Sequence, residues 1–345
     1  MAVIALPMAR ISGFNRCALA RAVVALLLAG CGVLPLSPAK VSPSNGQPQI
    51  SAFAAQRDHG HSWMLPEARG DNLLYVSDGV SGNVFIFSYP QAKEVGEITG
   101  FNVPEGACVD NAQNVFIVVQ DSGIIYKFRH GGTKPIASIR DRGGSSPLGC
   151  SVSSATGDLA VVNGVGAPIS SSSYGPPNVA VYTVARGKPK IYSDPNLSEL
   201  YFCSYDDAGN LFIDGTDYSN NTVLIELPKR SKTFRNIAVQ PTIKDPGGVG
   251  WDGRHVVVAD RKGPSGYAVV YRFTIKGDKG IEVGSTVLGG DVYVISFWIQ
   301  NRTLIGGDPG AGAVRFWKYP EGGTATTTIS GFRDPAAMTI SLASK

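Results

Sequence analysis

The chain has 345 residues, long enough to bury a large core, with only 17% charged residues and a formal net charge of +4. Arg10, Arg16 and Arg21 lie in the first thirty positions, which hold no acid, so the rest of the chain carries about +1. That balance leaves no basic stripe for phosphates and excludes nucleic acid as a partner. Low charge with 42 glycines suits an all-β protein with many tight turns.

Residues 1–30 read as an address. After the three arginines comes a short apolar run, Ala22 to Ala29, far below the roughly 20 residues needed to span a bilayer. Met8 is a second possible start that leaves this signal complete. The run ends in Leu28-Ala29-Gly30-Cys31. This resembles the lipobox of bacterial lipoproteins and implies that Cys31 is the lipid (palmitate) attachment residue; the alternative is an ordinary signal cut nearby. Gly32 is not the aspartate that favours inner-membrane retention in some bacteria, so the cell envelope, at an outer membrane or cell surface, is the expected location. Residues 31–62 are rich in Pro, Ser, Gln and Gly, cannot offset their ordering entropy by burial, and are expected to be a flexible tether.

From residue 63 to 345 a hairpin phrase recurs six times. Its third-strand versions include Asn83-Val84-Phe85-Ile86-Phe87, Asn178-Val179-Ala180-Val181-Tyr182 and Ala313-Val314-Arg315-Phe316-Trp317. The aligned positions 84, 124, 179, 223, 269 and 314 are 40, 55, 44, 46 and 45 residues apart. A period in the mid-forties carried by β-branched and aromatic runs predicts propeller blades of four antiparallel strands. The continuous apolar second strands, such as Leu73-Leu74-Tyr75-Val76 and Val256-Val257-Val258, suit strands covered on both faces. Blade one starts at its second strand, and Asp334 to Ser341 reads as an inner strand with nothing after it. The carboxyl end is therefore expected to join blade one and close a six-bladed ring.

The phrase Pro104-x-Gly106-x-x-x-Asp110, followed by Asn114-x-Phe116-Ile117, resembles NHL-repeat and SMP-30/gluconolactonase-like propellers. The resemblance implies the fold, with ligands at the central channel or its mouths, and leaves function open. Lactonases of that kind hold a channel metal with Glu, Asn and Asp side chains. Glu105 is the one such side chain at its position; the other blades offer Leu148, Gly247 and Ala336.

Residues that follow the repeat are read as scaffold, and residues that break it as candidates. Asp78, Asn163, Asp260 and Asp308 all end second strands and are expected to bond to local backbone. Asp214 breaks the pattern, standing where other blades have Val76, Val118, Val162 and Val258, and a carboxylate there is costly unless paired or ligated. Asp214, Asp206 and Glu105 are thus the candidate acids, against the plainer reading of carboxylates bonded to backbone. Cys108, Cys150 and Cys203 fall on inner strands of blades two, three and four. Aligning the closing turns puts Cys150 and Cys203 in one column and Cys108 one residue out, on the other face. A Cys150–Cys203 disulfide is the expectation for an exported chain, three buried thiols the alternative. His59 and His61 form an HxH pair without a nameable third ligand, and the long blade-three loop, Gly164 to Pro177, is a candidate recognition element.

The leading reading is an exported, membrane-tethered, monomeric propeller that binds a protein or small-molecule ligand at its channel mouth and second-to-third-strand loops. The alternative is an extracytoplasmic hydrolase or lyase with a divalent cation, Ca or Zn, in the channel.

Overall fold

The computed structural model describes residues 50–53 and 60–344, apart from 145, 167, 171, 172, 291 and 292. The signal region with Cys17 and Cys31, most of residues 31–62, and His59 lie outside the described residues. The strands from Leu73 onward form a ring of six antiparallel blades, a six-bladed β-propeller. The inner strands, in ring order, are Pro335–Ser341, Pro104–Val109, Pro147–Val152, Leu197–Tyr205, Pro246–Trp251 and Ser296–Gln300. The second strands are Leu73–Asp78, Val115–Val119, Leu159–Asn163, Leu211–Asp217, Val256–Asp260 and Thr303–Asp308. We call the side where inner strands begin the front face, and the side where they end the back face.

Strand alternation explains the core. Successive side chains of a strand point to opposite sides, and each side of a blade is covered by a neighbour. Leu74 and Val76 join an apolar cluster with blade six, whereas Leu73 and Tyr75 join one with blade two. The remaining blade interfaces hold four more such clusters. Second strands are buried on both sides, which is why they read as unbroken apolar runs.

The ring closes as the repeat predicts. Pro335–Ser341 pairs antiparallel with Leu73–Asp78, with Val76 opposite Met338. Beyond it, Leu342 N–H donates to Gln113 Oε1 at 2.6 Å and Ala343 N–H to Asn72 Oδ1 at 2.9 Å, clasping the end to blades one and two. Several blade edges carry extra strands. Trp63–Met64 lies antiparallel outside Glu94–Ile98 in blade one, and Ala238–Gln240 lies parallel along Lys279–Gly289 in blade five. Ile50–Phe53, near the end of the stretch read as a tether, runs parallel to Thr327–Ser330 at the edge of blade six.

The cysteine expectation is corrected. The disulfide joins Cys108 to Cys150, with Cα atoms 5.8 Å apart, and Cys203 is a free, buried thiol. The columns themselves are as aligned: Ala107, Cys150 and Cys203 oppose Ile117, Val161 and Ile213. Residues in one column of successive blades turn the same way round the ring. Cys150 therefore faces blade two while Cys203 faces blade three, and the two never meet. Cys108, one residue out of column, turns towards blade three and meets Cys150.

Candidate functional site

The central channel is lined by all six inner strands and encloses about 360 Å³. Its walls run from Gly106, Gly149, Gly248 and Ser296 back to Ser154 and Asp207, which sit in first-to-second-strand turns of the back face. Among the described residues, no group of three or more His, Cys, Asp or Glu side chains is arranged to hold a metal ion.

Each sequence candidate has a place. Asp214 is fully buried, but its Oδ1 accepts from Phe202 N–H at 2.8 Å and its Oδ2 from Gly248 N–H at 3.3 Å. Both donors lie at ladder irregularities, where the inner strands of blades four and five slip register. The carboxylate thus replaces bonds that the bulges remove. Burial pushes its pKa up to about 6, against the opposing pull of the two N–H donors and Arg261. Asp206 caps its hairpin: Asn210 N–H donates to Oδ1 and Asn210 Nδ2 to Oδ2, both at 2.8 Å. Asp110 and Asn114 repeat this in blade two, so Asp206 follows the repeat after all. Glu105 is half-buried at the front mouth beside Asp334; a carboxyl oxygen of each lies 3.2 Å from where a Gly79 Cβ would stand. Burial first, then Asp334, raises the Glu105 pKa to about 8, leaving it protonated at neutral pH.

The repeated acids at second-strand exits bond to backbone, as expected. Asp78 accepts from Ser81, Arg333 and Asp334 N–H, and Asp260 from Lys244, Asp245 and Lys262 N–H. Each therefore ties a second-to-third-strand turn to the loop leading into the same blade, stiffening the front face. Asn163 instead pairs with Asn178 across the strand pair.

The front face carries a feature the sequence reading missed. The exposed tyrosines among the described residues are Tyr174 (54%), Tyr218 (72%), Tyr267 (44%) and Tyr293 (37%), and all four stand on front-face loops. Val80 and Ile169, also exposed, lie on the same face. Tyr218 rides a turn locked by Asp217, which accepts from Ser219 and Asn221 N–H. Arg261 stacks over Tyr293 at 4.7 Å and is itself held by Asp245. In the long blade-three loop, Pro168–Ser170 and Ser173–Tyr174 form a small hairpin that lifts Tyr174 outward. The signal was available: Tyr174, Tyr218 and Tyr267 precede third strands of blades three, four and five, among Ser, Gly and Asn. Because three blades share it, a filter that discards repeated features hides it. His61 is exposed at the domain's edge.

No family model matches the sequence, and no curated protein matches it. Among solved structures, a chain in a crystal structure of a nidogen/laminin complex is similar over 79% of this chain and all of its own length, with a TM-score of 0.64 and 14% identity. A functionally unknown protein from Desulfotomaculum acetoxidans DSM 771 is similar over the same shares, with a TM-score of 0.54 and 11% identity. At these identities the likeness is one of fold: a propeller.

Proposed function

We propose that this protein is an exported, lipid-tethered binding module that docks a protein partner on its front face. The observation that carries the reading is the confinement of every exposed tyrosine among the described residues to that face. Tyrosine offers a large amphipathic surface at low ordering cost, and loops of Tyr, Ser, Gly and Asn on a rigid sheet scaffold are the composition of adaptable recognition surfaces. The bonds from Asp78, Asp217 and Asp260 hold the loops in place before any partner arrives. One of the similar solved chains is taken from a complex of two proteins, which accords with a binding role for the fold. The signal at residues 1–30 and Cys31 supports export and anchoring. A relationship to NHL or SMP-30 proteins rests on the repeat phrases alone.

Photo-crosslinking in the native cell envelope tests the reading. A benzoylphenylalanine at Tyr218 or Tyr267 is expected to give a discrete adduct that is absent when the probe sits at Ile136 or Ile191 on the outer strands. Equal labelling from both sets of positions, or none from the front face, removes the docking surface. A Cys31→Ser variant that still partitions with membranes removes the lipid anchor.

A further inference from the structure

We propose that the channel is a second, separate binding site, for a neutral molecule with one flat, largely apolar ring face. The channel breaks the six-fold repeat by halves. Blades four, five and six contribute five aromatic rings to its wall: Phe202, Tyr205, Trp251, Phe297 and Trp298. Blades one to three contribute none, offering small residues such as Gly106, Ala107, Gly149 and Ser151. Inner strands neighbour one another in ring order, so the aromatic and small-residue walls face each other across the axis.

Tyr205, Trp251, Phe297 and Trp298 each pack against an apolar cluster between blades, so what they offer the channel is the surface those clusters leave uncovered. In the column next to the cysteines the blades carry Ala337, Gly106, Gly149, Gly248 and Ser296, with Phe202 as the single large residue. Glycine also makes room for Phe297, since a Cβ on Gly250 would stand 2.8 Å from its ring. All five rings are only half-buried although they line a concave space. Half-buried aromatic surface in a cavity of about 360 Å³ is a stacking platform of the size that takes a small ligand.

The lining also sets the charge of the ligand. It contains no lysine, arginine or histidine among the described residues, and its only carboxylate is the exposed Asp207 at the back-face end. An anion finds no partner there, and the serines and backbone suit hydroxyl groups. An aromatic ring and the apolar face of a sugar ring both meet this description. The cavity's lining reaches the back face, so the site stands or falls independently of docking on the front.

The test uses two probes on the purified protein: N-phenyl-1-naphthylamine, monitored by its emission, and methyl β-glucoside, monitored by calorimetry and by displacement of the first. Saturable one-to-one binding of at least one probe is expected, weakened tenfold or more by Trp298→Leu and by the space-filling Ser151→Trp. Should either variant fail to melt cooperatively, Ser204→Leu on the neighbouring strand takes its place. Binding of the naphthylamine alone identifies an aromatic ligand, and binding of the glucoside a sugar face. Binding of neither, or binding that all folded channel variants retain unchanged, overturns the proposal.

Discussion

Cys108 and Cys150 sit one column apart on neighbouring inner strands, and that offset turns their side chains towards each other across the interface of blades two and three. The bridge closes a chain segment with a sequence separation of 42, for which a chain-entropy treatment gives about 4 kcal/mol of stabilisation. Cys150→Ser should cost a large part of that in denaturant unfolding, whereas Cys203→Ser removes no bridge and should cost less. Peptide mapping under non-reducing conditions should recover Cys108 linked to Cys150, with Cys203 alkylated on unfolding. Recovery of a Cys150–Cys203 peptide would refute the arrangement.

Asp214 predicts a pH dependence of stability. Its folded pKa, about 6, lies above its ordinary value of 3.8, so the folded state holds this proton more tightly than the unfolded state. Stability therefore falls as pH rises from about 4 to 6, by up to roughly 3 kcal/mol at about 1.4 kcal/mol per unit. Glu105 contributes in the same direction from about pH 4.5 up to its pKa of about 8, so the two windows overlap below pH 6. Asp214→Asn should reduce the slope between about pH 4 and 6 to the part that Glu105 supplies and leave the slope above pH 6 unchanged. Asp214→Ala leaves Phe202 and Gly248 N–H without a partner and should cost about 1–3 kcal/mol at any pH. Urea midpoints measured across pH for both variants check this.

The fold was legible because its signals are periodic and local. Apolar second strands, Pro-Gly openings and the spare strand at Pro335 each repeat or complete a pattern, and a propeller blade is buried largely by copies of itself. The site was less legible because it depends on which way a residue faces around the ring. Aligning the repeats puts Cys150 and Cys203 in the right columns, yet sharing a column is what keeps them apart. Asp214 stands out as a break in the repeat, but its partners are the N–H groups of Phe202 and Gly248, and bulges leave no mark in composition. The channel's aromatic wall gathers residues from strands nearly a hundred positions apart, which no local window contains.

The glycines of blade five's inner strand should be intolerant of side chains. Gly250 has no Cβ where the Phe297 ring lies, so Gly250→Val forces the ring off its seat. The expected cost is about 1–3 kcal/mol, the usual range for overpacking, with a change in Trp298 emission from the adjacent residue. Gly253, whose would-be Cβ meets nothing within 4 Å but whose φ is +89°, serves as the contrast, because its penalty comes from backbone strain rather than from the ring. If Gly250→Val melts like the parent protein, the Phe297 ring does not lie against Gly250.

The carboxyl-terminal strand should control the whole ring rather than one blade. Met338 is buried between blades one and six, and Met338→Ala is expected to cost about 2–5 kcal/mol as a core truncation. Ending the chain at residue 334 does more: it strips blade one of its inner strand, exposes the edge of Leu73–Asp78 and removes the Gln113 and Asn72 clasps. Because each blade's apolar faces are covered only by its neighbours, loss at one joint opens two interfaces, those of clusters containing Leu74 and Tyr75. The truncated protein should aggregate or melt without a cooperative transition. A shortened chain that still melts cooperatively, near the parent temperature, would show that the other blades hold the ring without this strand. In that case Met338→Ala should also be nearly silent, so the two measurements check each other.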